Sequence, residues 1–356
     1  MTGHVLVVRL DSMGDMLAAG PAIRAVAADA DRLTVLCGPL GLPAAQLLPG
    51  VDATVVWACP WIMNPPPELS RADVDDLIGR IAHLGIDRAV VLTSFHQSPL
   101  PTALLLRLAG VRWIAAVSED YPGSLLDLRL PVPDEAPEPV RMLQSVRAAG
   151  FELPAGDDGR LRLRRPLPEV DALLPVEPGV PLVAVHPGTS APARAYPWPL
   201  WATAVDRLVA DGWSVALTGS PAERPLIRGI IDGLSGSSVG PVSDLAGALT
   251  VGQLAAVLDR AAVTVAANTG PAHLSAAVGT PVVSLFAPVV PALRWAPFGV
   301  PVELLGDQDA PCQGTRWTTC QLDGHPCLTS VSAEQIASAV RNLAAVQPVA
   351  RELSAP

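Results

Sequence analysis

The 356-residue sequence contains no lysine, so its 24 basic residues are all arginine. Because it also carries 34 acidic residues, the formal net charge is −10. A surface that binds nucleic acid needs an excess of positive charge to neutralise phosphates, so this balance argues against a nucleic-acid partner. We interpret the missing lysine as a bias of genomic base composition rather than as a functional feature.

The sequence also lacks a long uninterrupted apolar run. The longest charge-free stretch, between Arg260 and Arg294, is broken by glycine, proline and asparagine, so it predicts a buried strand–helix–strand rather than a membrane span. The N-terminal apolar run is short, has no basic residue before it and is interrupted by Arg9, unlike a signal peptide. These features predict a soluble, cytoplasmic protein.

Cysteine is scarce, and 5 residues are too few for a disulfide framework in a chain of this length. Cys37 and Cys59 lie in apolar segments, where cysteine is usually an inert core residue. The other three, in "PCQGTRWTTCQLDGHPC", lack the paired C-x-x-C spacing of a zinc ribbon. They are Cys312, Cys320 and Cys327, with His325 beside them. We expect reduced structural thiols there, with a metal site and a disulfide as the open alternatives.

What the sequence does contain is a large apolar fraction arranged in a repeating pattern. Half of the residues are apolar, and the length predicts two domains. Short apolar runs alternate with helical patterns in both halves, which predicts α/β domains with parallel sheets covered on both faces. A stretch rich in proline, glycine and charge, about 151–181, predicts a linker between domains 1–170 and 181–345. Ligands of such sheets bind at the carboxyl ends of strands, so we expect the site in the cleft between the domains.

Two loops of the second half follow predicted strands and suit a phosphate group. The first, "ANTGPAHL", begins a helix, where the dipole and free N–H groups favour an anion, although an ordinary capped turn would have a similar sequence. It contains Asn268, Thr269, Gly270, Pro271 and His273. The second, "HPGTSAPARAYPW", offers the hydroxyls of Thr189 and Ser190 and the charge of Arg194. Together they indicate a diphosphate, whereas the missing Walker and G-x-G-x-x-G motifs argue against an ATPase or a dehydrogenase.

Four segments together resemble the ADP-heptose:lipopolysaccharide heptosyltransferases. They are "RLDSMGDMLAAGPAIRAV", "VAVHPGTS…RAYPWPLWATAVDRL", "ALTGSPAER" and "ANTGPAHLSAAVGTPVVSLFAP". The resemblance implies a GT-B fold, with two facing Rossmann-like domains, the acceptor on the first and the nucleotide sugar on the second. It implies an inverting, metal-independent transferase with no cofactor, which moves heptose or a related sugar from an ADP-linked donor to a cell-envelope glycan or lipid-linked acceptor.

The resemblance also implies roles for individual residues. Asp15 matches the family's general base, which removes the proton of the acceptor hydroxyl. Gly14, implied as a donor-binding residue, lets the acceptor or the donor pack against the turn. The residues implied for the donor are Thr189, Ser190 and Arg194 at the diphosphate, Glu223 at the ribose, Leu249 and Thr250 at the base, and Thr269, Gly270, Pro271 and His273 in the family's "D-T-G-P-x-H" loop. Asn268 stands where the family usually has aspartate, which implies a changed sugar preference if that position contacts the sugar.

Several alternatives remain open on the sequence alone. Asp11 is interpreted as the cap of the following helix, and His96 as a solvated loop residue that could also contact an acceptor. The arginine-rich run 160–165 is either a solvated segment or a patch that contacts the inner face of the membrane. The alternative functions are a nucleotide-sugar epimerase of GT-B fold and a catalytically silent nucleotide-sugar-binding protein.

Overall fold

The computed structural model describes residues 3–94, 96–174, 179–236 and 242–352. The chain divides into two compact units, Met1–Arg164 and Arg165–Pro356. Residues 175–178 of the predicted linker lie outside the described residues, and the rest of that stretch has only one short 3-10 turn, Asp171–Leu173. Within the described ranges, no helix is both long and apolar enough to cross a membrane.

The first unit is a six-stranded parallel sheet with helices between its strands. The strands are β1 (His4–Arg9), β2 (Arg32–Cys37), β3 (Ala53–Val56), β4 (Arg88–Val91), β5 (Trp113–Val117) and β6 (Leu128–Leu130). The helices are α1 (Met13–Ala18), α2 (Gly20–Ala27), α3 (Leu42–Ala45), α4 (Arg71–Leu84), α5 (Leu100–Leu108) and α6 (Glu138–Ala148). The strand order is β3-β2-β1-β4-β5-β6.

The second unit repeats this architecture. Its strands are β7 (Leu182–His186), β8 (Ser214–Leu217), β9 (Val242–Asp244), β10 (Val263–Ala267), β11 (Val282–Leu285) and β12 (Val302–Leu305). Its helices are α7 (Trp198–Ala210), α8 (Arg224–Asp232), α9 (Val251–Arg260), α10 (Gly270–Val278), α11 (Ala292–Trp295), α12 (Pro326–Thr329) and α13 (Ala333–Glu352). The order is β12-β11-β10-β7-β8-β9, and all pairs are parallel.

The two sheets confirm the predicted α/β class and fix where each unit can bind a ligand. In each sheet the strand order reverses beside the first strand, between β1 and β4 and between β7 and β10. The loops that leave the carboxyl ends of such a pair diverge and open a crevice, which is the usual ligand site of this architecture. Catalytic and binding residues are therefore expected in the loops that follow β1, β4, β7 and β10.

Local deviations from the predicted elements have identifiable causes. The helical segment after β1 is two helices, α1 and α2, rather than one, because Pro21 at the start of α2 has no N–H to continue the hydrogen-bond ladder of α1. Helix α6 begins in the last three residues of the proline-rich segment "PVPDEAPEPV", which obscures where the helix starts in the sequence. Strands β6 and β9 have 3 residues each, too few for a recognisable alternation.

The segment before Arg165 belongs to the first unit because it is tied to that unit's sheet and helices. Arg24 of α2 forms two hydrogen bonds with Asp157, at 2.6 and 2.8 Å, and this pairing lowers the pKa of Asp157 to about 2. The backbone N–H of Arg164 donates to the Leu47 carbonyl at 2.8 Å. Arg165, in contrast, binds Asp259 of the second unit through two hydrogen bonds. The arginine-rich run 160–165 thus has partners within the chain at its C-terminal end.

Gly38, just after β2, is required by a close approach to the loop that follows β1. A β-carbon at this position would lie 2.4 Å from the carbonyl oxygen of Leu10. We expect Gly38→Ala to lower the free energy of unfolding by about 1–3 kcal/mol, because the backbone must shift to relieve the clash. The measurement is urea denaturation. The matched control is Gly79→Ala in the interior of α4, where a β-carbon meets no atom within 4 Å; it should stabilise by about 0.5–1 kcal/mol. Equal effects of the two substitutions would contradict the clash.

Candidate active site

The carboxyl end of β1 carries a fully buried arginine that binds two carboxylates. Arg9 is the last residue of β1 and is 0% exposed. Its Nε lies 3.1 Å from Asp11 Oδ2, and its Nη2 lies 2.9 Å from Asp15 Oδ1. The same Nη2 donates to Ser94 Oγ at 2.9 Å, after β4. This cluster therefore joins the loops on both sides of the first crevice.

Asp15 is held by hydrogen bonds at both of its oxygens. Oδ1 accepts from Arg9, and Oδ2 accepts from the backbone N–H and the hydroxyl of Ser12 at 3.2 and 2.6 Å. Burial by itself would raise the pKa of Asp15, but the charge of Arg9 and these hydrogen bonds together lower it below its ordinary value. Asp15 is thus an ionised, fixed carboxylate with an accessible edge. Gly14, the other predicted residue of this turn, lies buried in the first turn of α1.

The interpretation of Asp11 as a helix cap is wrong. Ser12 is the N-cap of α1, because its backbone and side chain both pair with Asp15 one turn later. Asp11 instead accepts a hydrogen bond from Gln97 Nε2 at 2.5 Å and lies beside Arg9. Burial raises the pKa of Asp11, and the negative charge of Asp15 adds to that rise against the opposing charge of Arg9. Arg9 thus contacts two carboxylates, and the pKa of Asp11 is raised while the pKa of Asp15 is lowered.

In the second unit, the loops after β7 and β10 lie side by side. The register pairs Ala266 with His186, so the segments that follow both strands leave the same edge of the sheet. Thr189 is half-buried and Ser190 is exposed, and Arg194 is half-buried in the short 3-10 turn Pro192–Arg194. The loop after β7 therefore carries two hydroxyls and one guanidinium beyond the carboxyl end of its strand.

The loop after β10 presents the start of a helix to the same crevice. Thr269 is the N-cap of α10, which begins at Gly270 with Pro271 in its first turn, and His273 is buried one turn in. Asn268 is 5% exposed, and its Nδ2 has no hydrogen-bond partner within the described residues. A buried amide without a partner costs free energy unless a ligand satisfies it. The geometry therefore suits an anion at the helix start and an oxygen atom at Asn268.

Glu223 and the predicted base pocket lie further along the same edge. A β-carbon at Gly188 would fall 1.8 Å from Glu223 Oε1, so this carboxylate rests on the loop after β7. Glu223 also accepts from the Ser220 N–H at 2.6 Å. The loop that carries Leu249 and Thr250 runs beside the loop after β8, where the Gly247 N–H donates to the Gly219 carbonyl at 2.8 Å. Thr250 is the N-cap of α9.

Sequence inspection missed a buried histidine at the end of β7. The hydroxyl of Thr218 lies 3.0 Å from His186 Nδ1 and 3.2 Å from the Val185 carbonyl oxygen. On the other side of the ring, His186 Nε2 lies 3.9 Å from Glu223 Oε2. Burial lowers the pKa of His186 to about 4, although the charge of Glu223 opposes this. The sequence did offer one signal for this histidine. His186 is the polar last residue of an apolar strand, as Arg9 is at the end of β1.

The pKa of His186 predicts a dependence of stability on pH. Between the ordinary pKa of 6.5 and about 4, the unfolded chain binds a proton at this residue that the native state does not. The buried neutral His186 therefore costs no stability above pH 6.5, and the free energy of unfolding decreases as the pH falls from 6.5 toward 4. We expect a shallower fall of the melting temperature over this range in His186→Gln than in the unmodified chain. His83→Gln, at an exposed position on α4, is the control and should leave the slope unchanged. The same slope in all three proteins would contradict the prediction.

The cysteine cluster of the second unit consists of unbonded thiols. Cys312 and Cys327 are buried, Cys320 is half-buried, and none of them forms a disulfide. Burial, with the neighbouring Cys312, raises the pKa of the Cys327 thiol to about 12. His325 Nε2 lies 3.0 Å from the Ala193 carbonyl oxygen. Within the described ranges, no group of three or more histidine, cysteine or acidic side chains has the geometry to hold a metal ion.

Comparison with known proteins identifies the family. Residues 99–325 match glycosyltransferase family 9 (heptosyltransferase). The chain belongs to this family. It is 32% identical to lipopolysaccharide heptosyltransferase 1 of Pseudomonas aeruginosa over 234 residues, which are 63% of this chain and 61% of that relative. The match thus spans about three fifths of the length of this curated family member.

Solved structures of family members have the same fold. E. coli ADP-heptose lipopolysaccharide heptosyltransferase II has a TM-score of 0.74 at 18% identity, and the alignment covers 97% of this chain and 99% of that one. A family 9 glycosyl transferase of Veillonella parvula has a TM-score of 0.80 at 16% identity, covering 96% and 97%. The predicted GT-B fold class is confirmed. For this family 9 chain, no observation favours the epimerase alternative.

Proposed function

We propose that the protein is an inverting, metal-independent glycosyltransferase with Asp15 as its general base. The observation that supports this most directly is the fixed, ionised carboxylate of Asp15 at the crevice of a family 9 chain. In the proposed step, Asp15 takes the proton of an acceptor hydroxyl, and the hydroxyl oxygen forms a bond to the anomeric carbon of the donor. The bond from that carbon to the diphosphate breaks on the opposite face, and the nucleoside diphosphate leaves with the electron pair.

The low pKa of Asp15 constrains how this step proceeds. A carboxylate of low pKa is ionised at neutral pH and is a weak base toward an alcohol. It accepts the proton only when the alcohol oxygen has begun to bond to the anomeric carbon and has become strongly acidic. Proton transfer and attack are therefore concerted, and Arg9 and Ser12, which hold both carboxylate oxygens, set the direction from which the hydroxyl approaches.

We further propose that the second unit binds the donor, an ADP-linked heptose or a related sugar. The N-terminus of α10 and the hydroxyls of Thr189 and Ser190 would bind the diphosphate, and Arg194 would neutralise the charge that grows as the nucleotide leaves. Glu223 would bind the ribose, and Leu249 with Thr250 would border the base. ADP-heptose appears in the name of the E. coli structural relative, which supports adenine as the base.

The side chain of Asn268 supports a donor sugar that differs from the usual one. Its buried Nδ2 is a hydrogen-bond donor without a partner within the described residues, whereas an aspartate there could only accept. The chain would therefore use this position to donate to an oxygen of the donor. The acceptor is proposed to be a cell-envelope glycan or a lipid-linked sugar, reached from the cytoplasmic face of the membrane.

Calorimetric titration with ADP, UDP, GDP and dTDP tests the donor proposal. We expect metal-independent binding of ADP, with magnesium added afterwards changing the Kd little. Tight binding of a different nucleotide would replace the proposed donor, and binding only in the presence of magnesium would contradict the metal-independent mechanism. Failure of all four to bind would favour a catalytically silent protein.

Arg194 carries the charge expected at the diphosphate. We expect Arg194→Ala to weaken ADP binding by about 10–100-fold, the usual value of a hydrogen bond to a charged group. Turnover should fall as well, because the phosphate charge grows in the transition state. Arg228→Ala on α8 removes the same charge from an exposed position and is the matched control. Equal affinity for ADP in Arg194→Ala and the unmodified chain would place the phosphate site elsewhere.

A further inference from the structure

The segment that precedes α12, residues 310–325, contacts the backbone of the turn that carries Arg194. The N–H of Ala193 donates to the Thr318 carbonyl at 2.9 Å, and the Ala193 carbonyl oxygen lies 3.0 Å from His325 Nε2. Since a carbonyl oxygen can only accept, His325 Nε2 is the donor of this hydrogen bond. Both backbone polar groups of Ala193, the residue before Arg194, are therefore bound by the 310–325 segment.

The 310–325 segment is itself fixed to the rest of the second unit. The N–H of Gly314 donates to the Pro288 carbonyl at 2.8 Å. The N–H of Arg316 donates to the Val289 carbonyl, also at 2.8 Å. Both acceptors lie in the loop after β11, and buried side chains of the segment pack in the main core of this unit. The segment therefore connects the loop after β11 to the loop after β7 and restricts the position of the turn.

The backbone of His325 is left-handed, with a φ of 53° and a ψ of 54° at the N-cap of α12. This region is uncommon for residues other than glycine, although asparagine and histidine adopt it more readily than most. Glycine or asparagine would therefore satisfy the backbone equally well. What histidine adds is a ring long enough to bring Nε2 to the Ala193 carbonyl.

The contact at Ala193 restricts the backbone from which the Arg194 side chain extends. The turn has only three residues, Pro192–Arg194, and its internal hydrogen bond joins the Arg194 N–H to the Ala191 carbonyl at 2.8 Å. A single 3-10 turn has few such bonds of its own to hold it in one orientation. An arginine whose backbone is already fixed loses less conformational freedom when its guanidinium binds an anion.

We propose that His325 is a positioning residue that fixes Arg194 for its contact with the diphosphate of the donor. The inference rests on the proposed function, in which Arg194 binds that diphosphate. His325 acts through the Ala193 carbonyl and does not itself contact the nucleotide. Because the turn is fixed before the donor binds, the affinity for a nucleoside diphosphate is higher than it is in a chain without this hydrogen bond.

Two variants of His325 separate the hydrogen bond from the backbone conformation. The amide of H325Q can replace the ring Nε2, whereas the amide of H325N is too short to reach Ala193 but suits a left-handed backbone. We expect the calorimetric Kd for ADP to be about 3–10-fold higher in H325N than in the unmodified chain, the usual value of one hydrogen bond. In H325Q it should stay within about twofold. Binding as tight in H325N as in H325Q overturns the proposal.

Combination with Arg194→Ala shows whether the effect of His325 depends on Arg194. In R194A/H325N the Kd for ADP should equal that of R194A, because the side chain to be positioned is absent. The control is T315V, which removes the hydrogen bond from Thr315 Oγ1 to the Cys312 carbonyl within the same segment and should leave the Kd unchanged. An equal loss of affinity from H325N with and without Arg194 overturns the proposal.

Hydrogen–deuterium exchange measures the contact without a nucleotide. The backbone amides of residues 189–196 should exchange severalfold faster in H325N than in H325Q, T315V or the unmodified chain, because the turn opens more often when the bond to Ala193 is absent. The same exchange in all four proteins overturns the proposal. A variant that does not fold is recognised by its melting temperature.

The donor experiments keep this inference separate from the proposed function. If Arg194→Ala weakens ADP binding and H325N does not, the positioning role of His325 is wrong while the donor site stands. If no nucleotide binds, or if Arg194→Ala leaves the affinity unchanged, the donor assignment is wrong. The positioning role is then wrong as well, even where the turn exchanges faster in H325N.

Discussion

Asp15→Asn is expected to lower kcat by about 10²–10⁴-fold, the usual contribution of a positioned general base. Asparagine preserves the size of the side chain and can still accept from Ser12, but its amide cannot remove the proton of the acceptor hydroxyl. The Kd for ADP should stay nearly unchanged, because the proposed donor residues belong to the second unit. Turnover is measured as ADP release in the presence of acceptor, and binding by calorimetry.

Asp11→Asn is the matched control for this experiment. Asp11 shares Arg9 with Asp15, but burial raises its pKa, and its oxygen Oδ1 is already bound by Gln97. In Asp11→Asn the charge of Arg9 is balanced by Asp15 alone, so Asp15 remains ionised and we expect a small effect on kcat. A loss in Asp11→Asn as large as that in Asp15→Asn would show that the pair acts together. A loss confined to Asp11→Asn would transfer the role of base to Asp11.

Arg9→Met should lower the free energy of unfolding by about 3–5 kcal/mol at neutral pH, because it leaves two carboxylates near each other without their cation in a buried site. Methionine fills much of the volume of the arginine stem, so the loss reports mainly on charge. The measurement is urea denaturation at pH 7.5 and at pH 5. The triple variant R9M/D11N/D15N removes the unpaired charges and should recover most of the lost stability.

The contribution of Asp15 to the pH dependence of stability should have the opposite sign in this variant to its sign in the unmodified chain. In the unmodified chain the pKa of Asp15 is lowered on folding, so its contribution is present above its unfolded pKa and is lost as the pH falls. Without Arg9, burial raises the pKa of both carboxyl groups, the native state binds more protons, and stability increases as the pH falls. Equal destabilisation at the two pH values, without recovery in the triple variant, would contradict the role assigned to Arg9.

Much of the fold could be predicted from the sequence because parallel strands have a simple local signal. Segments such as Val5–Val8 and Val263–Ala267 are buried on both faces and therefore read as continuous apolar runs. Short strands such as Leu128–Leu130 could not be found this way, because their position depends on pairing with a neighbour rather than on their own composition. Helix α6 was missed for a different reason, since the prolines before it indicate a loop, whereas the one proline inside it, Pro139, stands in the first turn, where a helix tolerates it.

For the candidate site as well, the sequence indicates some features and the tertiary structure is needed for the others. The sequence determined which residues follow the strands, namely Asp11, Asp15, Thr189 and Asn268, and the motifs that they form indicate the family. It also determined the chemical types available there, a carboxylate, hydroxyls and an amide. Only the tertiary structure decided what each of them contacts, because Ser94 and Gln97 are more than 80 residues from Arg9 and Asp11 in the chain. The pKa values of the two aspartates diverge because of burial and a shared cation, which are properties of the packed site and not of the local sequence.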